Sequence, residues 1–135
     1  MIKLTSQEIK FITLFEKMTR STVKDCIINE NELTFVIKEG DMGLAIGKKG
    51  TIINKIKKEM GKEIHVYEHS EDPKKFITNL FFPVKIERVE IENKQANVYI
   101  DAKHKKRAIG KGGKKINTVK QLTARHYPIE DVKII

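Results

Sequence analysis

Ala-Ile-Gly-Lys-Lys-Gly-Thr-Ile-Ile at residues 45–53 and Ala-Ile-Gly-Lys-Gly-Gly-Lys-Lys-Ile at residues 108–116 are two copies of one pattern. Each copy has two glycines three positions apart, lysine between them, and isoleucine before and after them. Glycine lacks a Cβ and readily adopts positive φ, so a turn of this composition can bring its backbone close to a ligand. The copies lie 63 residues apart, which predicts a duplicated module.

The residues around the first copy predict a complete folding unit. Thr5 and Glu8 match a helix capping box, and Phe11, Leu14 and Phe15 follow the spacing of one helix face. Alternating apolar residues then predict strands, and the glycines separate the helices on either side of the loop. The predicted order is helix, strand, strand, short helix, glycine loop, helix, strand, with the later elements at residues 23–29, 32–38, 41–46, 51–60 and 62–68.

The second copy lies within the same order of predicted elements. Asp72 and Pro73 predict the start of a helix, and Pro83 predicts its end. A change in the phase of the apolar residues predicts a β-bulge near Glu87 and Arg88. The later elements are strands at residues 84–92, 95–101 and 129–135 and helices at 102–109 and 114–126.

The repeat predicts an α+β protein of two domains, residues 1–69 and 70–135. Each domain is expected to be a three-stranded sheet packed against three helices, because each half contains three strand patterns and three helix patterns.

Basic charge is concentrated around both glycine loops. The chain has 27 Lys and Arg against 18 Asp and Glu, a net charge of +9. Nine basic residues and no acidic one lie within 103–125, and six lysines against one glutamate lie within 47–62. A basic surface tied to a glycine loop indicates a polyanionic partner, and the second copy is expected to dominate the electrostatic part of its affinity.

Other features predict a protein of a reducing compartment. Cys26 is the single cysteine, so no internal disulfide is expected, and no apolar stretch approaches the length needed to span a bilayer. The first residues show no secretory signal. We therefore expect a soluble cytoplasmic protein that does not enter a membrane.

Nucleotide hydrolysis and metal chemistry are not expected. A Walker A loop needs four residues between its glycines, whereas three separate Gly43 from Gly47, and no Ser or Thr follows the lysine as magnesium ligand. His65 and His69 fall on a predicted strand and its exit, without other metal-ligating residues beside them. No catalytic set is recognised, so we predict a protein that is not an enzyme and needs no cofactor or metal.

A single-stranded polynucleotide fits the loops best. Glycine allows the backbone to approach phosphates, the following helix starts add unsatisfied amides, and lysine adds charge that is blind to base sequence. Bases would then lie over apolar side chains, although most of those isoleucines and valines must belong to the core. The groove candidates are Ile46, Ile52, Ile53 and Ile64 in the first half and Ile109, Ile116, Val119 and Val132 in the second.

The pattern Ile-Gly-x-x-Gly-x-x-Ile between two helices resembles the KH domain, whose loop clamps backbone nucleotides. The order of elements is similar to the type II KH arrangement, and two such units in tandem resemble the archaeal NusA-like transcription termination/antitermination factors. The likeness covers essentially the whole chain. It implies these RNA-binding residues: Ile46, Gly47, Lys48, Lys49, Gly50 and Ile53 in the first domain, and Ile109, Gly110, Lys111, Gly112, Gly113, Lys114, Lys115 and Ile116 in the second.

The resemblance implies a transcription elongation, termination or antitermination factor that binds single-stranded RNA. RNA polymerase is implied as a partner by the resemblance alone, because no segment here matches the polymerase-binding or S1 domain of bacterial NusA. The alternative hypothesis is a KH-containing component of a ribosomal or ribonucleoprotein assembly.

Overall fold

A computed structural model describes residues 2–135. The chain divides into two compact units, Ile2–Ser70 and Glu71–Ile135, each described here by itself. Each unit contains one three-stranded sheet, three α-helices and a short 3₁₀ turn at its glycine loop. The predicted α+β architecture of two similar domains is thereby confirmed.

The first unit follows the predicted order of elements. Helix α1 starts with the predicted capping box, in which the Thr5 side chain accepts from the Glu8 amide and the Glu8 side chain accepts from the Thr5 amide. The elements are α1 Ser6–Thr19, β1 Val23–Ile28, β2 Glu32–Ile37, α2 Met42–Ile46, α3 Thr51–Met60 and β3 Glu63–Glu68.

The second unit repeats that order. Asp72 caps the first helix through its side chain, which accepts from the Lys74 amide at 3.0 Å, and Pro73 occupies the first helical position. The elements are α4 Pro73–Phe81, β4 Arg88–Glu92, β5 Gln95–Tyr99, α5 Ala102–Ile109, α6 Lys114–His126 and β6 Asp131–Ile134.

Both sheets have the same topology. In the first, β1 pairs antiparallel with β2 and β2 pairs parallel with β3; in the second, β4, β5 and β6 pair in the same way. A parallel pair needs a crossover connection, which here consists of two helices joined by the glycine loop. Each loop therefore lies at the turn of its crossover, between the two crossover helices.

The core of the first unit lies between its sheet and its helices. Phe15 on α1 and Phe35 on β2 are fully buried and stack with their ring centroids 4.2 Å apart. Apolar residues of all three strands share that face of the sheet, as period-two alternation requires. The buried cluster comprises Ile12, Phe15, Cys26, Leu33, Phe35, Ile37, Ala45, Ile53, Ile56 and Ile64.

All three strand predictions in the second unit were wrong in extent, and β5 ends at Tyr99 instead of residue 101. Strand β4 begins at Arg88, not at residue 84, because the Val84 amide donates to the Phe81 carbonyl at 2.8 Å and so belongs to the turn after α4. Strand β4 pairs with β5 from Arg88 to Glu92 without a shift of register, so the bulge predicted near Glu87 and Arg88 does not occur in it. Likewise, β6 is shorter than residues 129–135, since the Ile129 amide donates to the Tyr127 carbonyl at 2.8 Å instead of to a strand.

A register shift does occur in the first sheet. Val23 pairs with Ile37, whereas Asp25 pairs with Val36, so β1 contains one extra residue at this point. Within residues 2–135, no helix is long and apolar enough to cross a membrane.

The aromatic stack yields a stability prediction. Replacing Phe35 with Ala removes a fully buried ring and leaves a cavity, so we expect a loss of about 3–5 kcal/mol in the free energy of unfolding. Phe82→Ala is the matched control, because the Phe82 side chain is 69% exposed and its loss should change stability by about 0.5 kcal/mol or less. Chemical denaturation followed by circular dichroism measures both. Equal midpoints for the two variants would contradict the assignment of this core.

Candidate nucleic-acid interface

The two glycine loops have the same backbone conformation. The first glycines have φ 75° and ψ 170° at Gly47 and φ 79° and ψ 169° at Gly110. Two residues later, Lys49 and Gly112 both adopt the left-handed backbone conformation, with φ of 56° and 65°. Matched dihedral angles at matched positions mean that the repeat in sequence is a repeat in three dimensions.

In each loop a backbone hydrogen bond joins the first glycine to the last. The Gly50 amide donates to the Gly47 carbonyl at 3.2 Å, and the Gly113 amide donates to the Gly110 carbonyl at 3.1 Å. The amides of the two intervening residues in each loop make no backbone hydrogen bond. Those amides are therefore available to a ligand.

The first glycine of each loop is required sterically. A Cβ on Gly47 would lie 2.7 Å from Cγ1 of Ile52, and a Cβ on Gly110 would lie 2.8 Å from the backbone nitrogen of Lys115. Both distances are shorter than real Cβ contacts, and both residues also have positive φ. The third loop position differs, because a Cβ on Gly112 would meet nothing within 4 Å and Lys49 already occupies the corresponding site.

The helices that follow the loops start without a side-chain cap. Helices α1, α4 and α5 begin with Thr5, Asp72 and Asp101, each of which accepts a hydrogen bond from a first-turn amide. In contrast, α3 and α6 begin at a left-handed glycine with no capping side chain. The short helix α2 also lacks a side-chain cap. The first amide of α3 and of α6 donates back into the loop, Thr51 to the Lys48 carbonyl and Lys114 to the Lys111 carbonyl. The positive ends of these two helix dipoles therefore point at the loops without a compensating side chain.

Four of the predicted lysines are exposed at the loops: Lys48, Lys49, Lys111 and Lys114. The fifth, Lys115, is half-buried, and its Nζ donates to the Phe82 carbonyl at 3.1 Å. Burial lowers the pKa of Lys115 from its ordinary 10.5 to about 8. Lys115 therefore packs against the first glycine of the loop, and its ammonium lies at the end of α4.

An open groove of about 520 Å³ lies beside the second loop, between α6 and β6. Predicted residues Ile109, Ile116 and Val132 line it, whereas Val119 is buried in the core and does not. Four polar side chains and one further isoleucine complete the wall, a mixture suited to a flat base with polar edges. The remaining lining residues are Gln95, Lys120, Asp131, Lys133 and Ile134.

In the first unit, two predicted groove residues belong to the core. Ile53 is 9% exposed and Ile64 is 4% exposed, and both join the buried cluster under the sheet. Ile46 and Ile52 are partly buried and pack against that cluster. The structure thus brings Ile46 and Ile52 to the loop surface, and places Ile53 beneath it as support.

Sequence reasoning missed one duplicated feature of these surfaces. Lys57 on α3 lies 3.7 Å from the Glu63 carboxylate at the start of β3, and Lys120 on α6 lies 3.4 Å from the Asp131 carboxylate at the start of β6. The two lysines are 63 residues apart, the same offset as the glycines, so the repeat itself contained the signal. The acidic partners break that offset because both α6 and the connection that follows it are longer than their counterparts in the first unit.

Among residues 2–135, no group of three or more His, Cys, Asp and Glu side chains is placed to hold a metal ion. Cys26 is fully buried in β1.

Known proteins resemble this chain over nearly its whole length. The profile of the KH domain matches residues 11–87, and that of the NusA-like second KH domain matches residues 73–134. The "Probable transcription termination protein NusA" of Methanococcus vannielii is 36% identical over 99% of this chain and 80% of its own length. The protein of the same name from Methanocaldococcus jannaschii is 33% identical over 99% of this chain and 75% of its own length.

The protein in the solved structure "Crystal structure of APE1850" is 35% identical in sequence to this chain. Its fold matches with a TM-score of 0.81 over 98% of this chain and 100% of that chain. The likeness therefore extends over both units and over the order of their elements. The chain belongs to the KH-domain family, as a tandem KH protein of the archaeal NusA-like group.

Proposed function

We propose that this protein is a transcription termination/antitermination factor that binds single-stranded RNA through both glycine loops. The observation that carries the proposal is the pair of superimposable loops, each followed by an uncapped helix and flanked by exposed lysines. Phosphodiesters match such a surface, because they accept hydrogen bonds from amides and are attracted by the helix dipole. The names of the archaeal relatives support the role in termination.

Each loop would hold the RNA backbone in the same way. The amides of Lys48 and Lys49, and those of Lys111 and Gly112, would donate to phosphate oxygens. Because the first glycine has no side chain, the turn is tight enough to expose these amides. Bases of the bound strand would then point towards the groove beside the edge strand, where Ile116 offers an apolar surface in the second unit.

The remaining parts of the proposal follow from membership of the NusA-like group. We infer a cytoplasmic, non-enzymatic protein that requires no cofactor, with RNA polymerase as a partner. Co-purification of polymerase and nascent transcripts would support this role, whereas recovery of ribosomal particles would favour the alternative of a ribonucleoprotein assembly component.

Charge reversal in the loops tests the RNA site. Lys48→Asp with Lys49→Asp, and separately Lys111→Asp with Gly112→Asp, should each weaken binding of a short single-stranded RNA by about tenfold or more, since negative charge is placed against phosphate. Aspartate tolerates the left-handed conformation at the third position, so the fold should persist. Fluorescence anisotropy at several salt concentrations measures the affinity.

The matched control for the first pair is Lys10→Glu with Lys17→Glu on α1, which produces the same change in net charge at two exposed positions away from the loops. We expect this control to bind RNA much more tightly than the loop variants do. If both loop variants bind as well as the wild type, the loops are not the site.

A gain of affinity is expected from Gly112→Lys. This change gives the second loop the sequence of the first, at a position where Lys49 already adopts left-handed φ and where a side chain meets nothing within 4 Å. One further phosphate contact should strengthen binding at low salt and steepen the slope of log K against log salt by about 0.7. Gly112→Asn is the control, because asparagine accepts positive φ without adding charge. Equal salt slopes for the two variants would contradict a phosphate contact here.

A further inference from the structure

We propose that Phe82 is a stacking platform for an unpaired nucleobase of the RNA strand held by the second loop. This inference rests on the proposed RNA-binding function and adds to it a contact to a base outside the groove. Nothing in the KH loop pattern requires an aromatic residue, and the site is specific to the second unit.

Phe82 differs from every other aromatic residue in residues 2–135. Its side chain is 69% exposed, whereas the other five phenylalanines are buried or half-buried and the three tyrosines are half-buried. Tyr99, in addition, lies under the guanidinium of Arg88, whose Cζ is 3.8 Å from the ring centroid. Phe82 alone therefore presents a largely exposed ring.

The backbone that presents this ring is held on both sides. The Phe82 amide donates to the Asn79 carbonyl at 3.2 Å at the end of α4. The Phe82 carbonyl accepts from Nζ of Lys115 at 3.1 Å, and the Val84 amide donates to the Phe81 carbonyl at 2.8 Å. Ordering the platform before the ligand arrives reduces the entropy lost on binding. A solvated ring on a loosely held turn would lack that advantage.

Lys115 connects this platform directly to the loop. At one end of the side chain, Cβ of Lys115 lies 2.8 Å from where a Cβ on Gly110 would be. At the other end, Nζ of Lys115 donates to the Phe82 carbonyl. One side chain thus separates Phe82 from the first glycine of the loop. The next residue, Ile116, lines the groove, and successive helical residues are about 100° apart. Phe82 and the groove accordingly flank the first turn of α6 on neighbouring sides.

A nucleobase is the ligand that fits this position. Single exposed apolar residues are common on protein surfaces and need no partner. Here, however, only the Lys115 side chain separates the Phe82 backbone from a loop whose exposed lysines, Lys111 and Lys114, would attract the backbone of a nucleic acid. A strand held at its phosphates must place neighbouring bases near that loop, and any base can stack on an aromatic ring. We therefore expect a contact that is strong but tolerant of base identity.

The first unit lacks the equivalent. Arg20 ends α1 as Phe82 ends α4, and Ile52 takes the place of Lys115 behind the first glycine. Ile52 has no ammonium with which to hold the preceding turn. The stacking site would thus distinguish two loops whose backbones are otherwise alike.

Phe82→Leu tests the site, with Phe82→Trp as the aromatic replacement. The leucine variant should bind single-stranded RNA about 5- to 150-fold more weakly, the range for loss of one base–aromatic stack, without a change in salt slope. The tryptophan variant should bind as tightly as the wild type or more tightly. Ile9→Ala on α1 is the control for removal of an exposed apolar side chain, and it should leave affinity unchanged. Circular dichroism confirms that each variant is folded.

A series of RNA oligonucleotides with one abasic nucleotide each locates the stacked base. In the wild type, one abasic position should weaken binding as much as Phe82→Leu does, and in the leucine variant that same position should cost nothing further. If Phe82→Leu binds like the wild type while loop charge reversal abolishes binding, the stacking site is wrong and the loop function stands. If the wild type binds no RNA, or loop charge reversal has no effect, the proposed function itself fails.

Discussion

The contact between the first loop glycine and the side chain five residues later is the constraint on which the interface depends. Gly47 touches Ile52 and Gly110 touches Lys115 so closely that no Cβ fits between them. This contact folds the crossover tightly enough for its second helix to start immediately after the turn. The helix then begins at a left-handed glycine without a side-chain cap. One steric requirement thus sets both the shape of the loop and the start of the helix to which we assign phosphate binding.

Much of this architecture could be predicted because its signals are local. Capping at Thr5, apolar periodicity and the glycine spacing each act within a few residues, and the order of elements followed from them. The error at residues 84–87 has a physical cause: Val84 and Ile86 have strand-forming side chains, but the turn after α4 takes the Val84 amide. The strand propensity of these two residues is overridden by a hydrogen bond that the alternation of apolar residues does not predict.

The parts of the site that were missed depend on contacts distant in sequence. Lys115 was predicted to bind RNA as one more basic residue, and its hydrogen bond to Phe82 spans 33 positions. Phe82 itself follows a run of core residues at the end of α4, so its exposure follows from the turn of the chain, not from its neighbours. Similarly, Ile53 has the same sequence context as Ile116, but it is more deeply buried.

These contacts also change how the two loops compare. Counting charges along the sequence favours the second copy, with nine basic residues and no acidic one within 103–125. In three dimensions Lys115 is turned to the Phe82 carbonyl and Lys120 is paired with Asp131, as Lys57 is with Glu63 in the first unit. Each loop then presents two predicted lysines at its exposed surface. At the loops themselves the two copies are therefore matched in lysines, and the larger electrostatic affinity expected of the second copy stays a prediction. The second copy also differs from the first in the exposed Phe82, whose backbone carbonyl accepts a hydrogen bond from Lys115.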